Sequence, residues 1–299
     1  GGFILDREVF KADWLLLLTA LIWGSAFVAQ RAGMEHVGPF TFNGVRFALG
    51  SLILLPLALR SRPLVPGGVQ SGSPQAAAAP TSLWGGGLAG VVLFVAAALQ
   101  QVGLVYTTAG KAGFITGLYV IIVPLMGLMW GFRPGWGGWL GACLAVAGLY
   151  LLSVTEDFSL AKGDFLELLG AFFWAGHVLI LGWLSPKVRR IRLACTQFAV
   201  CSVLSLAAAS ALETITWAGI RGAAVPILYG GLLSVGVAYT LQVIAQRHAP
   251  PVHAAVILSL EAVFAALAGW LILGEVLGLR GVVGCGLMLA GMLAAQLRS

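Results

Sequence analysis

Glu261 sits near the middle of a long apolar run, 250–273, and Arg46 sits inside another, 38–59. An ionisable side chain in such a run faces a cavity or a partner, because hydrocarbon does not solvate charge. A carboxylate at that depth suits a proton carrier or a counter-charge for an amino group, and for Glu261 both roles are open, as is that of a protonated carboxyl bonded to a neighbouring helix. A guanidinium suits a substrate carboxylate, a gate contact or an interhelical or interfacial anchor. At a helix centre it costs about 2.5–3.5 kcal/mol to insert, less where it snorkels. Trp23 and Trp174 lie deep within their runs, whereas interfacial tryptophans stand at the ends. Their ring faces suit a flat or apolar solute, or packing. His177 follows Trp174 by three residues and so shares its helical face. It reads as a pH-responsive or ligand-binding imidazole, or as a packed one.

Other polar side chains fall in apolar runs. Gln101, with Gln100 beside it, and Tyr239 and Gln242 are candidates for a cavity wall, Gln101 and Tyr239 for gates at opposite ends. Asn43, Ser25, Tyr106, Thr116, Tyr119 and Ser259 are weaker candidates, each of a type that more often makes an ordinary helix–helix hydrogen bond. His253 shares a face with Glu261 and reads as a gate or interface residue. Glu167, one turn into its run, reads as interfacial. Pro124 leaves the Val120 carbonyl without its helical donor and is a candidate hinge.

The elements that position these residues follow from composition. Of 299 residues, 60% are apolar and only 9% charged, against roughly 25% charged in soluble domains. Such a chain cannot cover a water-facing surface, and the runs predict an all-α integral membrane protein. Each spanning helix takes about 20 apolar residues. Ten spans are predicted near 13–32, 38–59, 82–106, 110–130, 135–154, 164–184, 192–212, 222–246, 250–273 and 279–297. Residues 1–12 form a cytoplasmic N-terminal segment, and the Pro, Gly, Ser and Ala of 61–82 read as a flexible cytoplasmic linker. No signal-peptide pattern precedes the first span. The basic residues between spans crowd onto the side holding Arg7, Arg60, Arg133, Lys187 and Arg247, which predicts both termini in the cytoplasm. That distribution also accounts for the net charge of +6 without a nucleic-acid partner. The four cysteines fall in spans and read as small packing residues; no metal or other cofactor is expected.

The chain repeats itself. At an offset of 151 residues, Asp13–Trp23 falls on Asp164–Trp174 and Arg46–Leu55 on Gln197–Leu206. Near the repeat ends, GACLAVAG from Gly141 matches GCGLMLAG from Gly284 at an offset of 143. The units are 13–154 and 164–297, each with five spans. Because five is odd, the second unit is inverted in the membrane, the architecture of alternating access in secondary transporters.

The motifs carry a resemblance. Trp23-Gly24-Ser25-Ala26-Phe27, the stretch Tyr106 to Leu118 (YTTAGKAGFITGL), Pro124, Leu260-Glu261-Ala262-Val263-Phe264, Gly274-Glu275 and the glycine-punctuated last span together resemble EamA-type transporters of the drug/metabolite transporter superfamily. The nearest group resembled is the YddG-type aromatic amino-acid exporters. The second half has Glu261-Ala262 where that family usually has Glu-Pro, and the first half lacks a Gly-Glu pair near Gly131-Phe132-Arg133. The resemblance implies export of small metabolites, foremost neutral and aromatic amino acids, across a bacterial inner membrane, by a protein that is not an enzyme. Partners are then a small solute and the bilayer, with the protein a monomer or homodimer. A multidrug or cation exporter of the same fold is the alternative within the class. A facilitative channel and an intramembrane enzyme are alternatives outside it. No Walker-type GxxxxGK[ST] motif occurs.

Overall fold

The computed structural model describes residues 7–60, 78–107, 109–129, 131, 133–153, 162–273 and 278–296. Most of the linker expected at 61–82 and the Gly274-Glu275 pair lie outside them. The described residues are helical: α1 Arg7–Gly33, α2 Pro39–Arg60, α3 Ala78–Tyr106, α4 Ala109–Gly117, α5 Tyr119–Met129, α6 Trp136–Ser153, α7 Lys162–Leu184, α8 Arg190–Leu212, α9 Trp217–Gly222, α10 Ala224–Leu228, α11 Thr240–Ala245, α12 Pro251–Leu258, α13 Glu261–Leu273 and α14 Leu279–Gln296. A π-helical segment, Tyr229–Tyr239, joins α10 to α11.

Eight helices or helix pairs are long and apolar enough to cross a membrane, and Trp136–Leu151 and Leu279–Ala295 are shorter apolar helices. Helices are the expected solution in lipid, where each backbone N–H and C=O must find its partner within the segment. Helix starts follow from local chemistry. Pro39 opens α2 and Pro251 opens α12, positions where a missing N–H removes no helical bond. The Glu213 carboxylate at the end of α8 accepts from the backbone N–H groups of Phe40 and Thr41 and from the Thr41 hydroxyl, at 2.7–2.8 Å. It therefore caps the orphan donors of α2.

Equivalent positions in the two halves make equivalent contacts. The Ser51 hydroxyl donates to the Cys195 carbonyl at 3.2 Å, and the Ser202 hydroxyl donates to the Gly44 carbonyl at 2.8 Å. Under the 151-residue offset, each of these bonds maps onto the other. The same exchange holds between α6 and α14. A Cβ built at Gly148 would lie 2.5 Å from the Gly284 carbonyl oxygen, and one at its mate under the 143-residue offset, Gly291, would lie 2.7 Å from that of Gly141. Only glycine allows these backbones to approach so closely.

Two transmembrane rods are interrupted at matching places. Between α4 and α5 the helix breaks at Leu118, and between α12 and α13 it breaks at Ser259–Leu260. Shorter i→i+3 bonds, Leu118 N–H to the Ile115 carbonyl and Leu260 N–H to the Ile257 carbonyl, carry the chain across. The break in the first half thus lies at Leu118 and not at Pro124, around which α5 is continuous. Proline disturbs the turn N-terminal to itself, which places the displacement on the Leu118 side.

Candidate functional site

The residues that open α5 and α13, Tyr119 and Glu261, line one internal cavity. Broken helices that deliver side chains to the middle of a bundle are a transporter device. Facing them are Trp23, Phe27 and Gln30 of α1, Arg46 of α2, Gln100 of α3, Thr116 of α4, Trp174 and Val178 of α7, Ser234 and Tyr239 of the π segment, Gln242 of α11 and Leu258 of α12. The cavity holds about 30 Å³, room for roughly two waters. A larger solute requires the helices to part.

Both deep tryptophans pack on Tyr239. The Trp23 ring centroid is 4.5 Å from that of Tyr239, and Trp174 stacks on it at 6.1 Å with planes 23° apart. The Trp23 indole N–H donates to the Ser234 carbonyl at 3.3 Å, and the Thr19 hydroxyl, 2.8 Å from the Leu15 carbonyl of its own helix, also lies 3.2 Å from the Ala238 carbonyl. Side chains of α1 therefore bond carbonyls of the π segment, helping an i→i+5 stretch to persist.

Arg46 is buried at 2% exposure. Its Nε donates to Asn43 Oδ1 at 3.0 Å, and its guanidinium carbon lies 5.4 Å and 5.0 Å from the ring centroids of Phe42 and Phe47. The Asn43 amide in turn donates to the Ala97 carbonyl at 3.0 Å. Asn43 is thus behind the wall and orients the arginine, and the interfacial or snorkelling alternative for Arg46 is set aside by its burial. Glu167, read from the sequence as interfacial, has no exposure; α3 and α4 cover the turn of α7 that carries it.

The remaining expected residues divide. Gln242 lines the cavity with Tyr119 and Glu261, whereas Gln101 does not: its amide donates toward the Gln30 carbonyl at 3.5 Å, and its neighbour Gln100 takes the wall position. Tyr239 lies in the central aromatic cluster, not at a mouth. His177 stands behind that cluster, its ring centroid 6.1 Å from Trp174 and 6.3 Å from Tyr239. His177 Nε2 is bonded to Gln197 Oε1 at 2.9 Å. His253 pairs with Asp13 at 2.6 Å, linking the starts of α1 and α12. At the matching junction of the other half, the Thr107 hydroxyl donates to Asp164 at 2.5 Å. Sequence reasoning missed Gln30 and Ser234 on the wall; Gln30 carried a legible signal, a lone amide near the end of an apolar run.

Three buried polar atoms on this wall have no hydrogen-bond partner among the described residues, Gln30 Oε1, Trp174 Nε1 and Gln242 Oε1, while the Tyr119 hydroxyl lies beside the Glu261 carboxyl. Buried polar groups are nearly always paired, so two amide oxygens and an indole N–H among the lining residues suit a cavity that holds water or another polar species.

Helices of membrane-spanning length around a polar, aromatic-walled interior define a multi-pass membrane protein of the transporter class. Comparison with known proteins agrees. The profile of the EamA-like transporter family matches twice, over residues 10–154 and 161–295, and the chain belongs to that family. An uncharacterized transporter of Archaeoglobus fulgidus is 32% identical over 300 aligned residues, which cover 96% of this chain and 86% of the relative. A second from that organism is 30% identical over 57% of each chain. A solved crystal structure superposes with a TM-score of 0.77 at 18% identity, covering 96% of both chains, a likeness of fold. The family and these relatives are transporters rather than enzymes.

Proposed function

We propose that the protein is a secondary exporter of neutral and aromatic amino acids, with the zwitterion held between Arg46 and Glu261. The observation that carries this reading is the convergence of one guanidinium and one carboxylate on a single aromatic-walled cavity. Arg46 takes the substrate carboxylate through charge-assisted hydrogen bonds, and Glu261 takes the ammonium group. Trp23, Trp174 and Tyr239 contact the side chain. The unpartnered groups of Gln30, Trp174 and Gln242 and the Tyr119 hydroxyl beside Glu261 supply the remaining polar contacts.

Ten spans, arranged as inverted repeats 13–154 and 164–297 with both termini in the cytoplasm of a bacterium, would move this site between the two faces of the inner membrane by alternating access. The matched helix breaks at Leu118 and Ser259–Leu260 support bending at equivalent points of both halves.

The test is counterflow in proteoliposomes with a radiolabelled amino-acid panel, competed with analogues lacking either the amino or the carboxyl group. Saturable exchange of zwitterions, with both truncated analogues competing poorly, is expected. Competition by organic cations and not by amino acids would replace this reading with the multidrug alternative. Flux without saturation or counter-exchange would replace it with a channel.

A further inference from the structure

Glu167 lies two turns from Trp174 along α7, with no solvent exposure. Its Oε2 accepts from the Thr116 hydroxyl at 3.0 Å, and Thr116 Oγ1 accepts from the Gln100 amide at 3.3 Å. Thr116 and Gln100 both line the central cavity. Glu167 Oε1 has no hydrogen-bond partner among the described residues. The carboxylate rests against Gly103 of α3, where an added Cβ would come within 2.7 Å of Oε1.

We propose that Glu167, with Thr116, binds a small monovalent cation, a proton or an alkali-metal ion, whose movement is coupled to solute movement through the cavity; this rests on the transporter reading above. A carboxyl removed from water is neutralised either by a proton or by a cation held beside it, and among the described residues Glu167 is bonded by the Thr116 hydroxyl and by no basic side chain. Of the charged and titratable groups around it, Asp164 is an acid one turn earlier on α7, bonded by Thr107. Arg31 of α1 spends its guanidinium on the Leu104 and Thr107 carbonyls, at 3.0 Å and 2.8 Å. Lys162 lies over the Tyr106 ring at 5.4 Å, and Tyr119 of α5 faces the cavity.

The Thr116 hydroxyl supplies the coupling. It has one proton, given to Glu167 in the bond seen here. When a cation occupies the carboxylate, that hydrogen turns toward the cavity and changes the wall a solute meets. By linkage, the solute changes cation affinity to the same degree. The 151-residue offset puts Leu16 at the equivalent place in α1, so the cation site belongs to one half only.

Two measurements on purified protein test this. In the first, without solute, thermal unfolding is followed against sodium, with choline as control, and against pH. Wild type is expected to be stabilised by one of the two cations, with the response lost in Glu167→Gln and weakened but present in Glu167→Asp. In the second, proteoliposomes compare counterflow with accumulation driven by an imposed pH or sodium gradient. Glu167→Gln is expected to keep counterflow and lose gradient-driven accumulation by at least about ten-fold, and the effective gradient names the cation. Thr116→Val, which leaves the carboxylate in place, should lower accumulation in the same direction and serves if Glu167→Gln fails to fold. Full accumulation in the Gln variant, or a wild type insensitive to both cations, overturns the proposal. Amino-acid counterflow absent from wild type, with a Glu167-dependent cation response intact, would overturn the substrate reading alone.

Discussion

Tyr239 stacks on Trp174, ring centroids 6.1 Å apart and planes 23° from parallel. The repeat mate of Trp174, Trp23, packs on the same phenol at 4.5 Å. The two tryptophans thus share one aromatic partner from the π segment, and that partner lines the cavity. Aromatic pairs contribute about 0.5–1.5 kcal/mol beyond buried area. Tyr239→Leu is expected to weaken aromatic amino acids by about three- to ten-fold in counterflow competition, and small neutral ones less. Equal loss for all substrates would mark Tyr239 as packing.

Arg46→Gln removes the guanidinium and keeps a polar side chain beside Asn43. A hydrogen bond to a charged group contributes about 1.5–3 kcal/mol. Competition by zwitterions should therefore fall about ten- to hundred-fold, while amines lacking a carboxylate compete as before. An identical fall for both would assign Arg46 to the scaffold.

Glu261→Gln is expected to do the reverse, weakening substrates by their amino group and sparing carboxylates that lack one. Exchange between equal pools measures this directly. If exchange is unchanged and only the pH-driven component disappears, Glu261 carries the coupling proton and the zwitterion assignment fails.

The reciprocal glycine contacts of α6 and α14 predict matched defects. Gly148→Val and Gly291→Val each place carbon atoms against the partner's backbone, within 2.5 Å and 2.7 Å of a carbonyl oxygen at Cβ alone. Each should destabilise by about 1–3 kcal/mol, read as lowered melting temperatures of similar size. A large loss at one position and none at the other would contradict equivalent packing in the two halves.

Glu213→Ala removes the acceptor for three donors at the start of α2. Loss of a helix cap costs about 1–2 kcal/mol, so the melting temperature should drop while substrate affinity stays level. A selective loss of affinity instead would mean that the α8–α2 junction belongs to the transport machinery.

The membrane class, the helices and the duplication were legible in the linear sequence. Apolar transfer free energy is a property each residue carries with it, and it sums along a run whatever the run packs against. Trp23, Trp174, Arg46, Glu261, Tyr119, Tyr239 and Gln242 could be singled out the same way, each being conspicuous in an apolar run. Which polar residue faces the cavity was a different matter. Gln100 and Gln101 are neighbours about 100° apart on a helix, and with both faces of the helix apolar no amphipathic pattern says which points inward. Packing of α3 against α7 and α8 made that choice. The same holds for the burial of Glu167, set by Thr116 and Gly103 from other helices, and for the π segment, whose carbonyls are bonded by Thr19 and Trp23 from over 200 residues away in the chain. Spans follow from what each residue is, and the site follows from what tertiary packing sets beside it.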